Sequence, residues 1–175
     1  VDEVVNFVEK TISYESESKT GNAFRLLAIT DGQEAWFRMD AQRFLDIFST
    51  THSIELYAPP AGATNVNSTI QQFFDDGYDI VAYFGHGSVV MWGKDRLFSV
   101  DDAMSLTNSQ YPILINMTCL TGLFTHPKIE SLSEGFLFNP SGGAVAILAP
   151  TSLTLPSEQS LLSTPFGEAI QGDTY

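Results

Sequence analysis

Three polar, reactive side chains in this sequence could take part in nucleophilic chemistry at a carbonyl: the thiol of Cys119, the imidazole of His86 and the carboxylate of Asp31. A thiol beside an imidazole makes a nucleophile and base pair, and a nearby anion favours imidazolium and hence thiolate. Each residue also has an ordinary reading. A lone Cys is commonly an inert buried residue, a His between glycines can be a turn residue, and Asp31-Gly32 is a common turn signal. Their shared position favours the chemical reading, because each follows an apolar run that reads as a strand: the first (Asp31), the third (His86) and the fourth (Cys119). In open α/β sheets ligands bind outside the carboxyl ends of the strands, and neighbouring strands lie only about 5 Å apart. Gly85 and Gly87 flank the imidazole and allow close approach of a substrate carbonyl. The backbone N–H groups of Gly87 and Cys119 are then candidates for an oxyanion hole.

Such a pair needs a rigid sheet to carry it, and the chain reads as one. Val4, Val5, Phe7, Val8 and Ile12 recur at helical spacing, predicting an amphipathic helix from Asp2 to about Tyr14. A polar linker, Ser16 to Asn22, follows. Strands are then predicted over Ala23–Thr30, Ser53–Tyr57, Asp79–Phe84, Ile113–Met117 and Ala144–Leu148. Helices are predicted between them, over Met39–Phe48, Asn67–Phe74, a segment capped by Ser99, and Ile129–Phe138. Thr164 is expected to cap a last helix from Pro165 to about Gln171. Near-continuous apolar strands alternating with helices predict an α/β fold with a mostly parallel sheet covered on both faces.

Composition narrows the function. The 175 residues hold 21 Asp and Glu against 8 Lys and Arg, a formal charge of −13, and no cation follows Lys128. That balance argues against a nucleic-acid partner, which needs clustered cations, and disfavours an anionic membrane surface. No apolar run approaches the roughly 20 residues of a membrane helix. One cysteine excludes an internal disulfide. No His, Cys or carboxylate cluster has zinc spacing. His52 and His126 lie in loop-like contexts, His126-Pro127 reading as a turn. Asn67-Ser-Thr69 and Asn116-Met-Thr118 fit the glycosylation pattern, but the second falls in a predicted buried strand. The chain starts on Val1 and stops within a predicted helix, so it is read as a fragment of something longer. Residues 1–22 form a helix and linker leading into a domain over 23–175.

The segments Tyr83-Phe-Gly-His-Gly-Ser88, Met91-Trp92-Gly93 and Asn116-Met-Thr-Cys119 resemble the caspase-like cysteine peptidases, and most closely the gingipain family (C25). The interval from His86 to Cys119 is similar to the gingipain spacing. Val5 to Glu15 resembles the helix before that family's catalytic sheet, and Pro140 to Thr151 the strand after its nucleophile. The resemblance implies a caspase-like three-layer sandwich, lacking here a C-terminal strand, and a cysteine endopeptidase working through an acyl-thioester. Cys119 would be the nucleophile, His86 the base and then the acid, and Asp31 would stand where gingipains carry a Glu that contacts the histidine.

By the same resemblance Asp40, Met117, Thr151 and Ser152 would line the substrate pocket. Asp40 would suit a basic P1 side chain and Arg38 in its place an acidic or uncharged one, so P1 stays open. No cofactor is required for the chemistry. Structural calcium is a family possibility, although Asp75, Asp76 and Asp79 form no recognisable calcium loop. The expected partners are a peptide or protein substrate and the remainder of a longer precursor, with secretion or cell-surface placement. Two other readings stand beside hydrolysis: a non-catalytic peptidase-like scaffold or binding module, and a sortase-like transpeptidase.

Overall fold

The computed structural model describes residues 2–16, 24–48 and 52–172. Five parallel strands form the central sheet: β1 (Arg25–Thr30), β2 (Ser53–Tyr57), β3 (Ile80–Phe84), β7 (Ile113–Met117) and β8 (Ala146–Leu148), in the order β2-β1-β3-β7-β8. The expected α/β class and mostly parallel sheet are what the chain forms. The linker predicted over Ser16 to Asn22 falls, beyond Ser16, outside the described residues, as does Ala23.

Alternation along the strands builds two cores, one on each face. Val81, Tyr83 and Leu114 point into a cluster with α3 (Val66–Asp76), α4 (Val100–Met104) and α5 (Leu132–Phe138). Ala82, Phe84, Ile115 and Met117 point the other way, against α2 (Ala35–Phe48) and α6 (Pro156–Gly172). Burial on both faces explains why these strands are apolar throughout. A small antiparallel sheet, β4 (Gly87–Ser88), β5 (Met91–Trp92) and β6 (Phe98–Ser99), lies outside the sequence prediction. It turns Trp92 inward to stack on Tyr83 at 4.6 Å between ring centroids. Its two-residue strands are too short to show any periodicity.

Several boundaries move. Helix α2 begins four residues before the predicted Met39, because Phe37 and Ala41 continue the buried face of Phe44, Leu45 and Phe48. Ser99 caps α4 as predicted: its hydroxyl accepts from Asp102 N–H, and the Asp102 carboxylate takes the Ser99 N–H at 2.8 Å. The last helix is a correction. It starts at Pro156, so Thr164 is an interior residue and Pro165 sits mid-helix. Proline at the first helical position suits Pro156 equally well, and the Glu158 carboxylate reaches back to Leu155 N–H at 3.4 Å. Packing keeps the helix running past Pro165: Gly167 lies so close to α2 that an added Cβ would stand 2.9 Å from Ile47 and 3.1 Å from Phe44.

Helix α1 (Asp2–Ser16) forms where predicted but turns its apolar stripe outward, with Val4 and Ile12 both more than 60% exposed. It docks instead through Lys10, buried to 5%, whose Nζ donates to the carbonyls of Phe136 (3.1 Å) and Gly142 (3.0 Å). Burial pushes the Lys10 pKa down from 10.5 to about 8. Since the unfolded chain holds this proton more tightly, stability should rise with pH from about 8 to 10, by roughly 3 kcal/mol in all. A neutral amine still donates to both carbonyls, so docking survives deprotonation. Denaturant titrations across this range should show the rise in the parent and a flat profile in Lys10→Met.

Candidate active site

The chain leaves β1, visits β2 on one side and returns to β3 on the other, so the strand order reverses at β1. The crevice at such a reversal is where open α/β sheets bind ligands. Asp31 is the first residue after β1, and His86 lies two residues beyond β3. On the next strand, Cys119 lies two residues beyond β7. In the ladder Phe84 pairs with Met117, and Gly85 N–H continues it to Met117 O at 3.3 Å. His86 and Cys119 are therefore equivalent positions on neighbouring strands. Both side chains emerge on the α2/α6 side: the His86 ring meets Phe37 of α2 edge-on at 5.1 Å, and Cys119 Sγ contacts Thr154, just before α6.

The backbone of His86 is pinned at both ends. Its N–H donates to Asp31 Oδ2 at 2.6 Å, and its carbonyl accepts from Tyr83 Oη (2.8 Å) and Gly93 N–H (2.7 Å). Asp31, 3% exposed, also accepts Gln33 N–H at 3.0 Å. Asp31 thus contacts the histidine, as the resemblance implied, and does so through the main chain of His86. Burial and the Asp31 charge hold the Tyr83 hydroxyl pKa well above its ordinary value, so Tyr83 stays a donor. His86 Nε2 is buried without a hydrogen-bond partner among the described residues.

Both glycines around His86 are needed sterically. A Cβ on Gly85 would collide with the Tyr83 hydroxyl, and one on Gly87 with Thr118 Oγ1 while standing 2.9 Å from Cys119 O. Gly87 therefore brings its backbone directly against the turn that carries Cys119. Leu120, the residue after Cys119, adopts φ 60°, a conformation that non-glycine residues rarely hold without support. The support comes from the strand-to-helix segment after β8: Leu120 N–H donates to Ser152 O at 3.1 Å. The Cys119 amide makes no hydrogen bond among the described residues.

The sequence points to Thr151 and Ser152 of that segment, but not to Thr154 or to Gln159 of α6. Thr154 Oγ1 donates to Thr118 O at 2.6 Å, and Gln159 Nε2 donates to Thr118 O (2.8 Å) and Thr154 Oγ1 (2.5 Å). Cys119 Sγ lies 3.5 Å from Thr154 O and 3.6 Å from Thr154 Oγ1. Nothing local marks Thr154 or Gln159, since the partners are 35 to 41 residues away in sequence.

Beside this cluster a cavity of about 180 Å³ opens among Met117, Leu148, Pro150, Thr154, Gln159 and Leu162. Of the expected pocket residues, only Met117 lines it. The Asp40 carboxylate accepts from Arg43 (2.9 Å) and Ser160 (3.1 Å) and ties α2 to α6. Thr151 lines a separate cavity with Gly122 and Phe124, and Ser152 is exposed. His126 Nδ1 accepts Lys128 and Ile129 N–H, a local turn. Among the described residues no three His, Cys, Asp or Glu side chains gather to hold a metal ion. No described helix is long and apolar enough to cross a membrane.

The sequence model of Peptidase family C25 matches residues 1–174. The chain belongs to that family. Gingipain R2 and gingipain R1 of Porphyromonas gingivalis are each 35% identical to it over 108 residues, 59% of this chain. The chain spans 14% of the former and 10% of the latter. A solved complex of the pro- and mature domains of RgpB from the same organism superposes with a TM-score of 0.83 at 22% identity, over 97% of this chain and 43% of that one. The Arg-specific cysteine proteinase gingipain R gives 0.80 at 21% identity, over 99% and 44%. This C25 domain therefore has the caspase-like fold, and it spans less than half of those solved chains.

Proposed function

We propose that this C25 domain is a cysteine endopeptidase in which Cys119 attacks the scissile carbonyl and His86 takes the thiol proton. The observation that carries this reading is the register: equivalent positions on adjacent parallel strands put thiol and imidazole on the same face of the sheet. Attack forms a C–S bond and an oxyanion, for which the Cys119 amide and Gly87 N–H are the candidate donors. Collapse expels the amine, protonated by His86, and leaves an acyl-thioester that water hydrolyses. Asp31 and Tyr83 act through the main chain of His86, keeping it beside the nucleophile. Family kinship extends the reading to a secreted or cell-surface protein acting on peptides or proteins.

A diverse peptide library and a thiol-reactive peptide electrophile test the proposal together. Cleavage at defined positions, with labelling confined to Cys119, is the expected result. No cleavage and only slow labelling would show a peptidase-like module without catalysis. An added amine that diverts product into a new amide would show transfer in place of hydrolysis.

A further inference from the structure

The hydrogen-bond cluster behind Cys119 has a property that a purely structural clamp does not need: it contains one surplus donor. Thr118 O accepts from both Thr154 Oγ1 and Gln159 Nε2. Gln159 also donates to Thr154 Oγ1, so that hydroxyl is held by an incoming bond whichever way its own proton points. Thr154 Oγ1 stands 3.6 Å from Cys119 Sγ, within reach of a hydrogen bond to sulfur. We propose that the Thr154 hydroxyl is a switchable donor to the Cys119 thiolate, kept available by Gln159. The inference rests on Cys119 being the nucleophile.

In the resting thiol, S–H donates to Thr154 O at 3.5 Å and the Thr154 hydroxyl donates to Thr118 O. When His86 removes the thiol proton, sulfur turns from donor to anionic acceptor and faces a carbonyl oxygen that now repels it. A rotation about the Thr154 Cβ–Oγ1 bond swings the hydroxyl proton from Thr118 O to Sγ. Thr118 O keeps the Gln159 bond, so that carbonyl has a donor in either state. Thr154 retains its own proton throughout, and the only proton transferred passes from Cys119 to His86. Threonine suits the task because a neutral hydroxyl can both accept from Gln159 and donate to sulfur. Gln159 is a positioning residue, acting on the sulfur only through Thr154 and Thr118. It also lines the cavity beside the nucleophile, so a side chain bound there touches the residue that frees the donor.

The test is the rate at which iodoacetamide alkylates Cys119, followed across pH in the full 175-residue chain. Thr154→Val keeps the shape and removes the hydroxyl. Its labelling at neutral pH should fall about tenfold, the size of one hydrogen bond to a charged group, and its profile should move to higher pH. Thr154→Ser should label like the parent, and Gln159→Met should fall by a smaller factor. Parent-like rate and profile in Thr154→Val would overturn the proposal. If that variant fails to fold, parent-like labelling of Gln159→Met would overturn it instead. Iodoacetamide needs no peptide, so this result separates from the peptidase reading. Thr154-dependent labelling in a protein that cleaves nothing retains the donor and removes the peptidase, and cleavage without Thr154 dependence does the reverse.

Discussion

Cys119→Ala should abolish peptide cleavage, with a fall in kcat/KM on the order of 10⁴-fold or more, and should leave the thermal transition of the protein nearly unchanged. The thiol is half-buried, and its hydrogen bonds among the described residues are weak contacts to Thr154 O and Thr154 Oγ1. Removing it deletes no large apolar surface and orphans no strong donor. The turn that carries it is held independently by Leu120 N–H to Ser152 O and by the Thr118 carbonyl bonds. Loss of chemistry without loss of fold is the signature of a nucleophile. Steady-state cleavage of the best library peptide, alongside a melting curve, measures both halves. A variant as fast as the parent would remove Cys119 from the mechanism.

Asp31→Ala should do the opposite and damage fold and activity together. Its carboxylate is almost fully buried and accepts two main-chain N–H groups, the shorter from His86 at 2.6 Å. Hydrogen bonds to a charged acceptor are worth about 1.5–3 kcal/mol each, and the buried His86 amide would lose its partner. A loss of roughly 2–4 kcal/mol of stability is expected. Cleavage should fall about 100-fold, because His86 would no longer be held at the strand end. Denaturant unfolding and kcat/KM read the two effects separately. Asp31→Asn distinguishes geometry from charge: its amide oxygen can still accept the His86 N–H, so it should recover most of the stability. An Asp31 acting on the imidazole as an anion would instead leave the Asn variant as slow as the Ala variant. Full activity in Asp31→Ala would show that the His86 turn needs no anchor.

These two residues also separate kinds of information. The placement of Asp31, His86 and Cys119 just beyond apolar runs is a sequence property. Strands buried on both faces must be apolar along their length, and they end where polar residues and glycines begin. The α/β class followed from the same pattern, as did the Ser99 cap, because caps and strands are specified by residues close together in the chain. The acidic charge and the single cysteine are likewise read directly from the sequence.

Contacts between distant segments followed other rules. The period of α1 marks a helix but does not say which face meets the protein, and here two carbonyls 126 and 132 residues away in the chain capture Lys10 while the valines face outward. Pro165 reads locally as a helix start, yet packing on α2 carries α6 past it from Pro156. The carboxylate of Asp40, a pocket candidate by the family resemblance, accepts from Ser160, 120 residues later, a contact that nothing local announces. The Thr118, Thr154 and Gln159 cluster has no local signature at all. What the sequence by itself determined was the set of reactive groups and the strands that carry them, since both depend on neighbours a few residues apart. Only the tertiary structure decided that Asp31 holds the backbone of His86, and that Thr154 and Gln159 stand behind Cys119. Those contacts join segments 35 to 55 residues apart, and a folded sheet is what brings them within a hydrogen bond of one another.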